Sequence, residues 1–132
     1  MNFKNAMLYT EEFRFVPGAF SVEGGKFANV LGEPQADAVD LYGAYVIPGL
    51  IDVHNHGNSG ADFSDGDYDG LVKMAEYLAQ NGVTSFAPAS MTLPYAVLET
   101  AFRTAVRLHK AAPAGCARLM GIRMEGPFFA EK

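Results

Sequence analysis

Two histidines one residue apart, His54 and His56, close an apolar run that a Pro-Gly pair interrupts, in AYVIPGLIDVHNHG at 44–57. Side chains alternate faces along a strand, so residues two apart point the same way. A strand that reaches this far projects both imidazoles from one face, with Asp52 behind them. Each neutral imidazole offers a nitrogen lone pair, and two facing one way can hold zinc or iron. The plainer alternative is a surface or loop pair with no ligand. Val46, Ile47, Leu50, Ile51 and Val53 favour the metal, because they form the near-continuous apolar run expected of a strand buried on both faces. Gly57, Gly60, Asp62, Asp65 and Asp67 then open a polar loop, a common setting for sites at the carboxyl ends of parallel strands.

The elements that must position these residues follow from periodicity. Between Asp67 and Asn81, the residues Leu71, Met74, Ala75 and Leu78 fall at helical spacing, and Asn81-Gly82 is a helix stop. Val83 to Ala87 reads as a short strand closed by Pro88. Pro94 suits a first helical turn, after which Leu98, Ala101, Phe102, Ala105 and Leu108 form one apolar stripe, ended by Pro113-Ala114-Gly115. Leu119 to Met124 reads as a third strand running into Glu125. Strand, helix, strand, helix, strand predicts a parallel sheet with crossover helices. All three strands then end at one edge, which brings Glu125 to the His54–His56 pair despite its distance in sequence. On its own, a Glu before Gly-Pro reads more readily as a solvated strand end; joined to the His pair by topology, it reads as a carboxylate ligand.

Residues 1–43 read instead as short strands and tight turns. Phe13, Phe15, Phe20 and Val22 alternate with other residues, and Glu23-Gly24-Gly25-Lys26 suits a hairpin. Phe27, Val30 and Leu31 continue beyond it, before Gly32-Glu33-Pro34 turns the chain again. No catalytic constellation is visible there. With 49% hydrophobic and 19% charged residues, the 132-residue chain is a globular one able to bury a core. A net charge of −5 gives no electrostatic reason to expect nucleic acid or an anionic membrane. The single Cys116 cannot form an internal disulfide and has no basic neighbour to make it a nucleophile. MNFKNAMLYTEEF lacks a long apolar core, and no stretch approaches a membrane span, so a cytoplasmic protein is expected.

PGLIDVHNHG at 48–57 resembles the first-strand signature of the amidohydrolase superfamily, whose (β/α)8 barrel carries one or two metals at its mouth. GVTSFAPASMT at 82–92 and MEGPFFAEK at 124–132 narrow the resemblance to the N-acetylglucosamine-6-phosphate deacetylases. The resemblance implies an α/β fold: the first three strands of a (β/α)8 TIM-type barrel over 44–132, preceded by a small β-sandwich region over 1–43. It implies Glu125 as the principal metal ligand, with His54 and His56 holding a second divalent ion, zinc or iron. The implied chemistry is amide hydrolysis on a small-molecule amino-sugar phosphate, in what is expected to be a homo-oligomer. A (β/α)8 barrel needs about 250 residues. The remaining ligands, the catalytic Asp and the phosphate-binding groups are therefore expected beyond Lys132, and no catalytic residue within these 132. Ser64, Asp62 and Asp65 are read as loop residues. Two other readings stand beside this one. A dihydroorotase-like or imidazolone-opening amidohydrolase shares the His pair, with Glu125-Gly126-Pro127-Phe128 as the discriminator. A non-catalytic α/β module would instead associate through its open sheet edge.

Overall fold

The structure is a computed structural model and describes residues 1–126 and 128. Pro127 and residues 129–132, part of the MEGPFFAEK segment, lie outside the described residues. The chain divides into two compact units, Met1–Pro48 and Gly49–Lys132.

The first unit is a five-stranded sheet built on β1 (Asn2–Tyr9), β2 (Phe15–Glu23), β3 (Lys26–Ala28), β4 (Val39–Asp40) and β5 (Tyr45–Val46). The order is β3-β2-β1-β4, and β5 also pairs with β1. β1 runs antiparallel to β2 and parallel to both β4 and β5. Gly24 and Gly25 have φ of 56° and 75°. Consecutive positive φ values give the turn whose twist matches a tight hairpin, so the Gly-Gly pair joins β2 to β3 as expected. Ala6, Leu8 and Phe20 are buried, with Phe3 stacked on Phe20 at 4.7 Å between centroids.

One expectation needs adjustment here. Regular pairing of β3 ends at Ala28, after which Asn29 and Leu31 adopt positive φ (46° and 59°), although the Leu31 N–H still bonds to the Ala19 carbonyl of β2 at 2.9 Å. Val30 and Leu31 are exposed. β5 pairs with β1 in parallel, and this compact unit runs to Pro48. These residues form one five-stranded sheet.

The second unit starts with β6 (Leu50–Asn55), then a small hairpin of β7 (Gly57–Asn58) and β8 (Ala61–Asp62). α1 (Tyr68–Gln80), β9 (Val83–Pro88), α2 (Tyr95–Ala111) and β10 (Arg118–Leu119) follow. β6 and β10 both pair with β9 in parallel, in the order β10-β9-β6. The Asp67 carboxylate accepts the N–H groups of Asp69 and Gly70 at 3.3 and 2.9 Å, which starts α1 at the expected place. Asn81 caps its far end, and Gly82 takes φ +81° to release the chain into β9. The predicted apolar faces are the observed ones. Leu71, Met74, Ala75 and Leu78 of α1 meet Ala101, Ala105 and Leu108 of α2 around Phe63, Phe86 and Leu119.

The third strand is shorter than its predicted span of Leu119–Met124. Met120 N–H bonds to the Phe86 carbonyl, but the Pro88 carbonyl takes its hydrogen from Arg123. Two residues of β9 thus face three of the next segment. The extra residue breaks the ladder, which resumes as a single parallel bridge between Ala89 and Arg123.

The burial of β6 also departs from expectation. Leu50, Ile51 and Val53 are 52%, 59% and 55% exposed, and Ile47 is exposed as well. β6 is the edge of a three-stranded sheet whose helix-covered core is gathered on Phe86 and Leu119, so its apolar side chains find no cover among the described residues. No helix of the described residues is long and apolar enough to cross a membrane.

Candidate metal centre

Three side chains from two segments converge at the carboxyl end of the second unit's sheet. β6 ends at Asn55, so His54 lies within the strand and His56 one residue beyond it. The rings nevertheless stand side by side, with centroids 5.1 Å apart and the two Nε2 atoms separated by 3.2 Å. Glu125 enters from the segment after β10, its Oε1 2.8 Å from His54 Nε2 and its Oε2 3.7 Å from His56 Nε2. One donor atom from each of the three residues lies within 4.8 Å of the others. Their side chains are 45%, 34% and 35% exposed in the order His54, His56, Glu125, so solvent and an ion can reach them.

The arrangement fits a divalent ion on geometric grounds. Two nitrogen or oxygen donors bonded to zinc at about 2.0–2.1 Å stand about 2.8–3.4 Å apart for ordinary coordination angles. The His54–His56 and His54–Glu125 separations of 3.2 and 2.8 Å match that span. The 3.7 Å separation involves the second carboxylate oxygen, which is free to serve the same ion or another. His56 Nδ1 is buried and has no hydrogen-bond partner among the described residues, so Nε2 is the nitrogen that faces the other two donors.

Asp52 does not reach the imidazole nitrogens. Its Oδ1 accepts the His54 N–H at 3.0 Å, and its Oδ2 accepts from the Asn55 amide at 2.9 Å. It shapes the backbone that carries the histidines. Asp62 and Asp65 form a reciprocal cap on a short 3-10 turn, Phe63–Asp65, and the Ser64 hydroxyl accepts the Met91 N–H at 3.4 Å. These are loop-building roles, in line with the sequence reading.

The residues just after β9 tie the two ligand-bearing segments together, and the sequence reading gave them no role. Ala89 N–H bonds to the carbonyl of Asn55, between the two histidines, at 2.9 Å. Ser90, fully buried, accepts the Glu125 N–H on its hydroxyl at 3.2 Å. Thr92 donates its hydroxyl to the Glu125 carbonyl at 3.4 Å. Gly126 has φ +88°, and a Cβ placed there would lie 2.6 Å from Thr92 Oγ1. The available signal was a hydroxyl residue following a buried strand, which is too common to single out.

Elsewhere, a groove of about 740 Å³ runs along α2, lined mainly by Tyr95, Leu98, Phe102, Val106, Met124 and Phe128. Its charged pair, Glu99 and Arg103, bonds internally at 2.6 Å. Among the described residues the groove holds no metal-ligating cluster. Cys116 is half-buried, and burial, then the nearby Glu76 charge, pushes its thiol pKa up. That suits an inert residue.

Residues 45–130 match the amidohydrolase family. The chain is 38% identical over 101 residues to the N-acetylglucosamine-6-phosphate deacetylase of Vibrio furnissii, covering 76% of this chain and 25% of that protein. It is 37% identical over 83 residues to the N-acetylgalactosamine-6-phosphate deacetylase of Escherichia coli O157:H7, covering 62% of this chain and 22% of that one. The crystal structure of N-acetylglucosamine-6-phosphate deacetylase from Pasteurella multocida superposes with a TM-score of 0.81 at 28% identity, covering 98% of this chain and 35% of that one. The chain therefore spans only a quarter or so of the curated relatives it matches, and about a third of the solved one. With the family match covering more than half of its residues and its histidine pair and Glu125 drawn together, this chain belongs to the amidohydrolase family.

Proposed function

We propose that this chain is the amino-terminal part of a metal-dependent deacetylase that removes the acetyl group from N-acetylglucosamine 6-phosphate. The convergence of His54, His56 and Glu125 on one point carries the reading, because an isolated surface pair would have no reason to meet a carboxylate from a distant segment. Three parallel strands with two crossover helices are read as the first three strands of a (β/α)8 barrel, and the five-stranded sheet before them as part of an accessory β-sandwich.

Glu125 is the principal ligand in this reading. His54 and His56 present their Nε2 lone pairs to the same ion or to a second one, zinc or iron. A divalent ion bound there would supply Lewis acidity toward the acetamide carbonyl. Asp52 fixes the backbone at His54, which holds that imidazole against the carboxylate. The proton transfers to the departing amine and the grip on the sugar phosphate need groups outside residues 1–132, so these residues alone are inactive. A cytoplasmic homo-oligomer completes the proposal.

A second substrate reading, N-acetylgalactosamine 6-phosphate, is favoured by the likeness to the Escherichia coli enzyme. The test is a deacetylase assay on the full-length parent with both sugar phosphates, run beside elemental analysis for metal. A parent that binds no metal, or that deacetylates neither sugar, refutes the proposal.

A further inference from the structure

We infer that Ser90 is a positioning residue for the metal ligand Glu125, and that the 89–92 segment holds the two ligand-bearing segments in register. This rests on the metal-site reading above and goes beyond it, because Ser90 touches neither an imidazole nitrogen nor the carboxylate.

Glu125 lies past the end of β10, where the sheet ladder has already broken and regular pairing no longer fixes the backbone. Ser90 N–H bonds to the Arg123 carbonyl at 3.0 Å, and Ser90 Oγ accepts the Glu125 N–H at 3.2 Å. One residue thus bridges both sides of Met124 and replaces the missing rungs. Thr92 takes the Glu125 carbonyl on the other side. Ala89 ties the same segment to Asn55, between the two histidines. Ser90 is completely buried, so no water competes for its hydroxyl. Without that acceptor, the Glu125 N–H turns toward solvent, which moves the carboxylate now 2.8 Å from His54, or stays unpaired, which makes that position costlier to hold.

Partners that orient a ligand typically change metal affinity by about 10–100-fold when removed. The experiment titrates the full-length parent with Zn²⁺ against a chromophoric competitor and records the visible spectrum of the Co²⁺ form. Ser90→Ala should bind Zn²⁺ at least about tenfold more weakly and shift the Co²⁺ bands, while the near-ultraviolet circular dichroism of its metal-free form stays that of the parent. Ser90→Thr keeps the hydroxyl and should restore both readouts to within about threefold of the parent. Should Ser90→Ala lose the metal-free fold, Ser90→Cys, which keeps the volume and weakens the acceptor, is judged on the same criteria. A purely structural residue would lower thermal stability and leave the Co²⁺ spectrum alone. Either readout left at the parent's value in folded Ser90→Ala or, in its place, folded Ser90→Cys, with Glu125→Gln abolishing binding, overturns the positioning role and spares the metal site. A full-length parent that takes up no Zn²⁺ overturns both.

Discussion

Gly126→Ala tests how tightly the carboxylate of Glu125 is held. The glycine sits at φ +88°, where a residue with a Cβ pays about 1–2 kcal/mol. The new methyl would also lie 2.6 Å from Thr92 Oγ1 and 3.1 Å from both Thr92 Cβ and Cγ2. Rotating Thr92 does not clear it, since one substituent replaces another and the bond to the Glu125 carbonyl is lost. The easier escape is a shift of the 124–126 segment, which few hydrogen bonds attach to the sheet. Metal-free stability should then fall only slightly. The strain returns when an ion draws Glu125 back toward the histidines, and 1–2 kcal/mol of strain weakens Zn²⁺ binding by about 5- to 30-fold. In a Thr92→Ala background the side-chain overlap is gone and only the backbone cost remains, so the two substitutions should cost less together than the sum of their separate effects. Competition titration of the four proteins with Zn²⁺ measures this directly. Gly126→Ala binding Zn²⁺ within twofold of the parent would refute the claim that metal binding restores this strain.

In the full-length parent, Glu125→Gln should lose most bound metal and nearly all deacetylase activity, whereas His54→Asn with His56→Asn should lose at most one metal equivalent and keep measurable turnover. Equal loss in both, with the fold intact, would show that the roles assigned to them are wrong. Phe86→Ala, at a position with no exposure, should lower the unfolding free energy of the second unit by about 3–5 kcal/mol in urea titrations. Cys116, whose thiol pKa is raised by burial and the Glu76 charge, should react with iodoacetamide at pH 7 more slowly than a free small thiol. The Asp40 carboxyl is held below its usual value by the Tyr42 N–H and then the Asn5 amide. Its contribution to stability is therefore present above the ordinary Asp range and lost as pH falls through the depressed value. Asp40→Asn should be less stable than the parent at pH 7 and match it in strong acid.

The helices were legible because their signals are local. Leu71, Met74, Ala75 and Leu78 repeat at 3.6-residue spacing, with Asp67 before them and Asn81-Gly82 after, and all four are buried. The central strand of the first unit was not. β1 carries Asn2, Lys4 and Asn5 between its apolar residues, and Asn5 adopts φ 55° where the pairing register shifts. An irregular strand gives no clean period-2 pattern, so only its partners reveal it. β6 misled in the opposite direction, since a continuous apolar run promised cover on both faces that these residues do not supply.

The site divides along the same line. His54 and His56 are neighbours in sequence, and their chemistry is readable from type and spacing alone. Glu125 needed topology as well: parallel strands joined by crossovers end at one edge, so a carboxylate far along the chain arrives beside the pair. What no spacing rule supplies is the last few tenths of an ångström. That precision comes from Ser90 and Thr92, whose hydroxyls bond to the peptide groups on either side of the Glu125 α-carbon. Backbone contacts of this kind ask only for a hydroxyl in the right place, and serine and threonine occur at many strand ends for reasons of capping and turn formation. A ligand advertises itself by its chemistry, whereas the residue that aims it is distinguished only by position. The candidate metal site is thus half written in residue type and half in a fold that must be seen before Ser90 can be told from any other serine.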